Sequence, residues 1–410
     1  MKKLSGVLHL WLGLASGIIV FIVSLTGCIF VFEEDIFNLT HKELIYVEAP
    51  VGPAMPLSTL MATAQNVLGE KKKISSIEVT NDRNRSYLFT ASKADKNAKN
   101  VWTYFQQVKY YEEVYVNPYT GAVLGQVNRK YEFFNVVRRI HQNLLLPYET
   151  GSLIVGSSCL MFLVLLITGF VLWIPKTKSG WKQRFSIKWN AKWRRVNYDT
   201  HNVGGFYVLP VAMLLVSTGL VWSFDWWEDG IYRILGSKEQ PQFTIEQPAA
   251  NVVKTPASEN ILDKVFYATL DKKLDFSMLI FSVPEKETVP YRMFVEVDKG
   301  TGWRESNYYF YQNATGEQYG QILQEDKSLG MKWRNSNYDI HTGGIYGMTT
   351  KILAFLASFF CATLPVTGFY IWWGKRNKSK KSSLKPGSSA ANINRKKPDF
   401  TKPKVSSSVS

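Results

Sequence analysis

The sequence predicts an α-helical integral membrane protein: four transmembrane helices plus two α+β domains outside the membrane, laid out as an internal two-fold repeat. Three observations carry this. Four apolar blocks of 21–22 residues contain no Lys, Arg, Asp or Glu. The excess positive charge is concentrated in three segments between or beyond these blocks. The two long polar segments share one order of helix, strands and Asn-containing turn. Whole-chain averages hide the pattern, since 410 residues at 46% apolar, 20% charged and net +16 describe an ordinary basic soluble protein.

The blocks are Trp11–Phe32, Leu153–Trp173, Val203–Phe224 and Ile352–Trp373. About 20 apolar residues cross a bilayer as a helix. Trp11, Trp173, Trp222, Trp226, Trp227, Trp372 and Trp373 stand near the ends, where aromatic rings favour the membrane–water boundary. Met1-Lys2-Lys3 and the run Leu25-Thr26-Gly27-Cys28 resemble a secretory or lipoprotein signal. Against cleavage, the apolar run continues through Phe32, and a Thr-Gly pair recurs in all four blocks: Thr26-Gly27, Thr168-Gly169, Thr218-Gly219 and Thr367-Gly368. The pairs read as helix-packing positions, where small residues let helices approach. Cys28, Cys159 and Cys361 all lie inside apolar blocks, which excludes a disulfide scaffold.

Charge sets the expected topology. The loop 175–200 carries eight basic residues, the tail after Trp373 eleven and the amino terminus two, against only Asp199 and Asp399. Positive short segments stay in the cytoplasm, so both termini are expected inside and the long segments outside. The basic character is a topology signal, and no nucleic-acid partner is expected. The order is then 1–32 (amino terminus and first span), 33–150 (first outer domain), 151–174 (second span) and 175–202 (basic loop). It continues with 203–224 (third span), 225–345 (second outer domain), 346–374 (fourth span) and 375–410, a Lys- and Ser-rich tail expected to be disordered.

In the first outer segment a helical pattern over Leu57–Val67 precedes strands at Ile74–Val79, Ser86–Thr90, Trp102–Phe105 and Glu113–Val116. The Asn117-Pro118-Tyr119-Thr120-Gly121 turn follows. In the second, a helix at Glu259–Leu270 precedes strands at Met278–Ser282, Tyr291–Val297 and Asn307–Tyr311, then Asn313-Ala314-Thr315-Gly316. The two segments read as copies.

Four of the five histidines, His9, His141, His201 and His341, each come shortly before one apolar block, while His41 reads as plain surface. The Thr of the following Thr-Gly pair is 17 residues away for His9 and His201, 27 for His141 and 26 for His341. Alternate spans run in opposite directions, so His9 and His201 share the inner face and His141 and His341 the outer. Two imidazoles at one depth can serve as the axial ligands of one haem iron, and two layers suit two haems. Gly13 and Gly205, four residues after the inner pair and on the same helical face, would let a flat ring approach. For the outer pair, either the helices extend beyond the bilayer or the chain bends back there.

Trp193-Arg-Arg-Val-Asn-Tyr-Asp-Thr-His201 and Trp333-Arg-Asn-Ser-Asn-Tyr-Asp-Ile-His341 share six residues at equal offsets. Asp199 and Asp339 could accept a hydrogen bond from an imidazole or cap a helix. Arg138, Arg139, Arg194 and Arg334 are candidates to pair with haem propionates. Zinc fits less well, because no Cys or carboxylate stands in ligand spacing with these histidines.

The four-span layout, the histidine before each span, Asp199-x-His201-x-x-Gly204, His141-x-x-Leu-Leu-Leu146 and the Asn117-Pro-Tyr-Thr-Gly121 turn resemble one family. It is that of the bacterial PepSY-associated transmembrane-helix proteins, often called iron-regulated membrane proteins. The resemblance runs from residue 1 to 375. It implies two periplasmic PepSY-like domains, a bacterial inner-membrane location and two haem b groups per chain. It also implies reduction of a ferric siderophore in the periplasm, releasing iron as the more weakly held ferrous ion. His9, His201, His141 and His341 match the axial-ligand positions, and no side chain is assigned a catalytic role of its own. His141 departs from the pattern in lacking a glycine four residues on.

Electrons would enter at the inner haem, pass to the outer one and reach a chelate near aromatics such as Tyr104, Phe105, Tyr110, Tyr111, Trp303, Tyr308 and Tyr309. These equally fit half-buried strand positions. No G-x-G-x-x-G fingerprint is present, so the expected partners are lipid, a ferric siderophore, and a quinol or protein electron donor. The rival reading is a non-enzymatic PepSY-type binding or regulatory protein, which gives the histidines no role. A transporter is weaker still, since the spans hold no ionisable group between their ends.

Overall fold

A computed structural model describes residues 2–48, 52–95, 100–237, 241–248, 260–272, 274–286, 288–297 and 302–383. The chain opens with α1 (Lys2–Phe30), two short helices (Glu33–Thr40 and Lys42–Ile45) and α2 (Leu57–Leu68). Strands β1 (Ser76–Thr80), β2 (Tyr87–Ala94), β3 (Val108–Val116) and β4 (Val123–Asn128) precede α3 (Phe133–Asn143) and α4 (Tyr148–Trp173). The second half follows the same order: α5 (Trp193–Leu220), α6 (Asp225–Ile234), α7 (Ile261–Leu270), then β5 (Phe276–Ser282), β6 (Tyr291–Val297), β7 (Ser306–Tyr311) and β8 (Gln318–Ile322). It ends with α8 (Leu329–Thr342) and α9 (Met348–Ser383).

Helices α1, α4, α5 and α9 are long and apolar enough to cross a membrane, making this a multi-pass membrane protein. They pack as a ring in which α1 and α5 each touch both α4 and α9. Val20, Phe162, Leu165, Leu166, Ala212 and Cys361 fill the centre. The expected blocks overlap these helices, but the ends differ. Helix α1 begins at Lys2 and stops before Phe32, and α5 begins ten residues before Val203 because its first turns are polar. Within α5, Thr200–Gly204 forms a π-helical turn, a local widening that often marks a functional position. Helix α9 continues to Ser383, past residue 375 where the tail was expected to be disordered, and 384–410 lie outside the described residues.

The outer histidines do not stand on extensions of spans: the chain bends back. Helix α3 ends where Leu144 and Leu145 take φ of 55° and 59°, and Pro147 then starts α4. Helix α8 ends at Gly343 (φ 79°) and turns through Gly344–Tyr346 and Gly347 (φ 67°) into α9. Both bends are tight. A Cβ on Gly151 would stand 2.2 Å from the Asn143 carbonyl oxygen, and one on Gly343 2.4 Å from that of Thr350. Side-chain caps start the short helices: Glu132 accepts from Phe134 N and Asn135 N, and Ser328 from Met331 N.

The two α+β segments fuse into one eight-stranded antiparallel sheet of order β4-β3-β2-β1-β5-β6-β7-β8. The seam is β1 against β5, with Ser76 opposite Ser282 and Thr80 opposite Met278. Helices α2 and α7 cover one face over a single core that includes Leu57, Leu60, Ile77, Phe89, Val265, Phe281 and Met293. Ser58 N–H donates to Asp263 Oδ1 at 2.8 Å, tying the start of α2 to α7. The sequence pattern missed β4 and β8, whose short, half-exposed edges carry little hydrophobic alternation. The strand expected at Trp102–Phe105 is instead a loop leading into a helical turn at Tyr104–Gln107. Thr103 and Gln106 form a capping box there, which outweighs the aromatic strand propensity. The expected helix at 259–270 is α7, and Glu259 lies outside the described residues.

One buried arginine ties each bend to the sheet. Arg129 reaches Glu33 (2.8 Å), Glu132 (3.1 Å) and Glu113 (3.4 Å), joining the exit of α1, the cap of α3 and strand β3. Arg304 makes two 2.8 Å hydrogen bonds to Asp339 on α8 and reaches Glu296 on β6 at 3.5 Å. Because Asn143 and Gly151 meet backbone to backbone, Gly151→Ala should destabilise the protein by about 1–3 kcal/mol, the usual cost of overpacking. Thermal unfolding of the detergent-solubilised variant checks this, and Gly347→Ala isolates the cost of a positive-φ glycine where no neighbour lies within 4 Å.

Candidate functional site

The four expected histidines come together as two pairs. At the end of the bundle carrying the basic loop, the His9 and His201 rings stand 6.3 Å apart, centroid to centroid, at 90°. At the sheet end, His141 and His341 stand 6.0 Å apart at 62°. His9 rides on α1 and His201 on the π-helical turn of α5, diagonally across the ring. His141 and His341 ride on α3 and α8, so the outer pair is carried entirely by the short helices of the bends. Among the described residues no three His, Cys, Asp or Glu side chains converge as a metal-ligand set. Each pair therefore offers two imidazoles and nothing else. His41 is apart from both and stacks on Phe37 at 4.2 Å.

The Thr-Gly pairs explain how the rings are held. His9 Nδ1 lies 3.1 Å from Thr168 Oγ1 on α4. His201 Nδ1 lies 2.8 Å from Thr367 Oγ1 on α9, and His341 Nδ1 lies 2.9 Å from Thr218 Oγ1 on α5. His141 Nδ1 faces Thr26 Oγ1 on α1 at 3.3 Å and the Val23 carbonyl at 2.8 Å. The neighbouring glycine leaves room for each ring. An added Cβ would come within 3.2 Å of His141 at Gly27, 3.1 Å of His9 at Gly169, 3.0 Å of His341 at Gly219 and 3.3 Å of His201 at Gly368. The pairs had been read as helix-packing positions; here each one is the seat of a histidine from another helix.

Asn197 and Asn337 were missed. Each stands one turn before its histidine, is buried, and donates from Nδ2 to the carbonyl of the seating threonine. Asn197 bonds Thr367 O at 3.1 Å and Asn337 bonds Thr218 O at 3.2 Å. The signal was present in the echo of the two Trp-Arg-x-x-Asn-Tyr-Asp-x-His segments, where only the Asp and Arg had been weighed. Asp199 and Asp339 neither bond an imidazole nor cap a helix. Asp199 accepts from Arg195 at 2.8 Å, and Asp339 is held by Arg304.

The expected arginines separate into two kinds. Arg334 is taken by Glu228 at 2.7 Å, and Arg194 is exposed at the basic end. Arg138 and Arg139, one turn before His141, make no carboxylate pair among the described residues. Arg138 bonds Asn135 Oδ1 at 2.7 Å, and Arg139 stacks over the Tyr104 ring at 5.0 Å. The Nε atoms of both are buried without a partner. Burial and the adjacent Arg138 charge pull the Arg139 guanidinium below its usual range. Gly13 and Gly205 lie one turn into α1 and α5 from the inner pair. A Cβ on either would meet only one leucine methyl, at 3.8 Å and 3.7 Å respectively, so helix packing does not demand glycine there.

The outer aromatics do not form one platform. Tyr104 and Tyr309 are buried in the protein, Phe105 stacks on Tyr131 at 5.3 Å, and Trp303 is half exposed. Tyr308 lines a cleft of about 500 Å³ with Tyr232, Phe243, Phe294, Arg304 and Arg334, beside the first turns of α8. Behind Tyr308 lies Lys327, buried, with its ammonium 4.8 Å from the Tyr308 ring. Its Nζ donates to the Ser306 carbonyl, to Ser306 Oγ at 2.9 Å and to Gln324 Oε1 at 3.2 Å. On the same face of the sheet, burial pushes the Glu78 carboxyl up to about 7 and raises that of Glu113, although Tyr115 donates to Glu113 at 3.0 Å.

The model of the PepSY-associated TM region family matches residues 7–375. The chain belongs to that family. No curated protein matches it.

Burial lowers the Lys327 ammonium to about 7 from its ordinary value near 10.5. The folded protein therefore binds fewer protons than the unfolded chain between these limits, and stability rises with pH across that window. Lys327→Met should stabilise the protein most below pH 7, with the gain shrinking towards pH 10. Denaturation midpoints at pH 6 and pH 9 test this; a gain independent of pH would mean that the amine is not the source.

Proposed function

We propose that this PepSY-associated membrane protein carries two haem b groups and reduces a ferric siderophore on the periplasmic side of the bacterial inner membrane, in the service of iron uptake. The observation that carries the reading is the pair spacing. An imidazole nitrogen stands about 2 Å from a bound transition metal and ~1 Å from its own ring centre, so two rings flanking one metal ion sit about 6 Å apart. The two pairs, at 6.3 Å and 6.0 Å, meet that requirement at two separate depths.

The other residues present fit the same group. His9 with His201, and His141 with His341, would hold the haem iron, with Nδ1 of each facing a threonine and Nε2 left free for it. Gly13 and Gly205 clear the helix surface beside the inner pair. Arg138 and Arg139 bring part-buried guanidinium charge, with no carboxylate pair among the described residues, beside the outer pair, where propionates would accept hydrogen bonds from it. Haem, when bound, supplies one-electron exchange between ferric and ferrous iron. The chain's part is to hold the two pairs at opposite membrane faces. From His9 to Thr26, which seats His141, are 17 residues of α1, a rise of roughly 25 Å.

Orientation follows from charge. The basic loop and tail belong in the cytoplasm, which puts the fused sheet, the outer pair and the Tyr308 cleft in the periplasm. The palindromic strand order supports an internal two-fold repeat, with one PepSY-like unit in each half. The cleft sets Arg304 and Arg334, each paired with a carboxylate, beside four aromatic rings, and the rings would carry the contact with a ferric chelate. A quinol or a protein would donate the electrons from the inner side.

Two measurements test the reading. The reduced-minus-oxidised visible spectrum of the detergent-purified protein should show b-type bands at two haems per chain, and ferric siderophore should reoxidise the reduced protein. His201→Ala should remove one haem and leave the other. A protein without haem after expression with ample haem, or a His201→Ala variant keeping both, would overturn it.

A further inference from the structure

Resting on the two-haem reading, we infer that Thr26, Thr168, Thr218 and Thr367 are positioning residues that lock each histidine in the tautomer protonated at Nδ1, so that Nε2 carries the lone pair towards iron.

A threonine hydroxyl has one proton. Thr26 Oγ1 donates its proton to the Ile22 carbonyl at 2.7 Å, and Thr168 to Val164 at 2.8 Å. Thr218 donates to Leu214 at 2.8 Å and Thr367 to Thr363 at 2.9 Å. With its proton spent on its own helix, each hydroxyl can only accept from the imidazole, so Nδ1 must be the donor. His141 supports the assignment independently, because the Val23 carbonyl at 2.8 Å accepts and never donates.

The four seats are alike in chemistry but not in redundancy. His141 keeps a carbonyl acceptor at 2.8 Å if Thr26 is lost. His201 has Thr367 Oγ1 at 2.8 Å, the shortest of the four hydroxyl contacts. Asn197 and Asn337 brace two seats from behind by holding the threonine carbonyl, so a shift of the threonine turn is transmitted to the ring. A ligand imidazole that donates from Nδ1 is a more basic ligand and favours ferric iron. The seats therefore bear on the potential of each haem as well as on its retention.

The test uses the full-length protein in detergent with ¹⁵N-labelled histidine, before and after haem loading, comparing wild type, Thr367→Val, Thr367→Ser and Thr26→Val. In the haem-free protein the four paired imidazoles should give the neutral Nδ1–H pattern, with His41, apart from both pairs, as the reference. Thr367→Val should turn His201 into a tautomer mixture and Thr367→Ser should not. After loading, Thr367→Val should raise the midpoint potential of one haem only, and weaken its retention by about 10–100-fold, as loss of an outer-shell partner does. Thr26→Val should produce the smallest change. An Nε2–H pattern in the wild type, or a Thr367→Val protein with unaltered tautomer and potentials, would overturn the inference. If the wild type takes up no haem, the proposed function fails, while the tautomer pattern still decides the lock.

Discussion

Four imidazoles each aim Nδ1 at an acceptor on another helix, and the structure is organised around these four contacts. A ring N–H shut away from water without an acceptor would cost a few kcal/mol. Each acceptor comes from a different helix than the donor. His9 of α1 is met by α4, and His141 of α3 by α1. His201 of α5 is met by α9, and His341 of α8 by α5. These exchanges fix the depth and rotation of every spanning helix against a neighbour. Generic apolar packing, which lipid tails could equally satisfy, does not specify that.

The spans, the histidine layers and the pairing of His9 with His201 and His141 with His341 were legible in the sequence. They depend on strong periodic signals: absence of charge over 21–22 residues and equal spacing from His to Thr-Gly. The partner of each Thr-Gly pair was not legible. Spacing measured along one helix cannot reveal that Thr168 serves His9 while Thr26 serves His141, since that exchange is a tertiary fact. The same limit hid Asn197 and Asn337, whose offset of four from a histidine places them on its helix face but says nothing about the carbonyl they reach. Trp102–Phe105 was misjudged because strand propensity was counted and the Thr103–Gln106 capping pair was not. The sequence leaves the bends before α4 and α9 open: the first turns on Leu144 and Leu145 adopting positive φ, which no residue preference suggests, and the second on Gly343 and Gly347.

The two pairs are supported differently, and the difference follows from where each histidine sits. The inner pair belongs to helices that are themselves spans, so the bundle alone fixes its geometry. The outer pair belongs to α3 and α8, which lie beyond the spans and pack on them, α3 against α1 and α4 and α8 against α5. These helices are also tied to the sheet, through Arg129 on one side and Arg304 on the other. Both clusters are largely removed from water. There a charge pair adds modestly to stability but is costly to break, because one partner is then left buried and unpaired. Such contacts make poor glue and good registers. The β1–β5 seam joins the two sheet halves, and so the spacing between His141 and His341 is set jointly by the bundle and by a sheet continuous from one bend to the other. Fusion of the domains thus adds to bundle packing a second constraint on the outer pair, so that histidines on short helices stand as close together as histidines on spans.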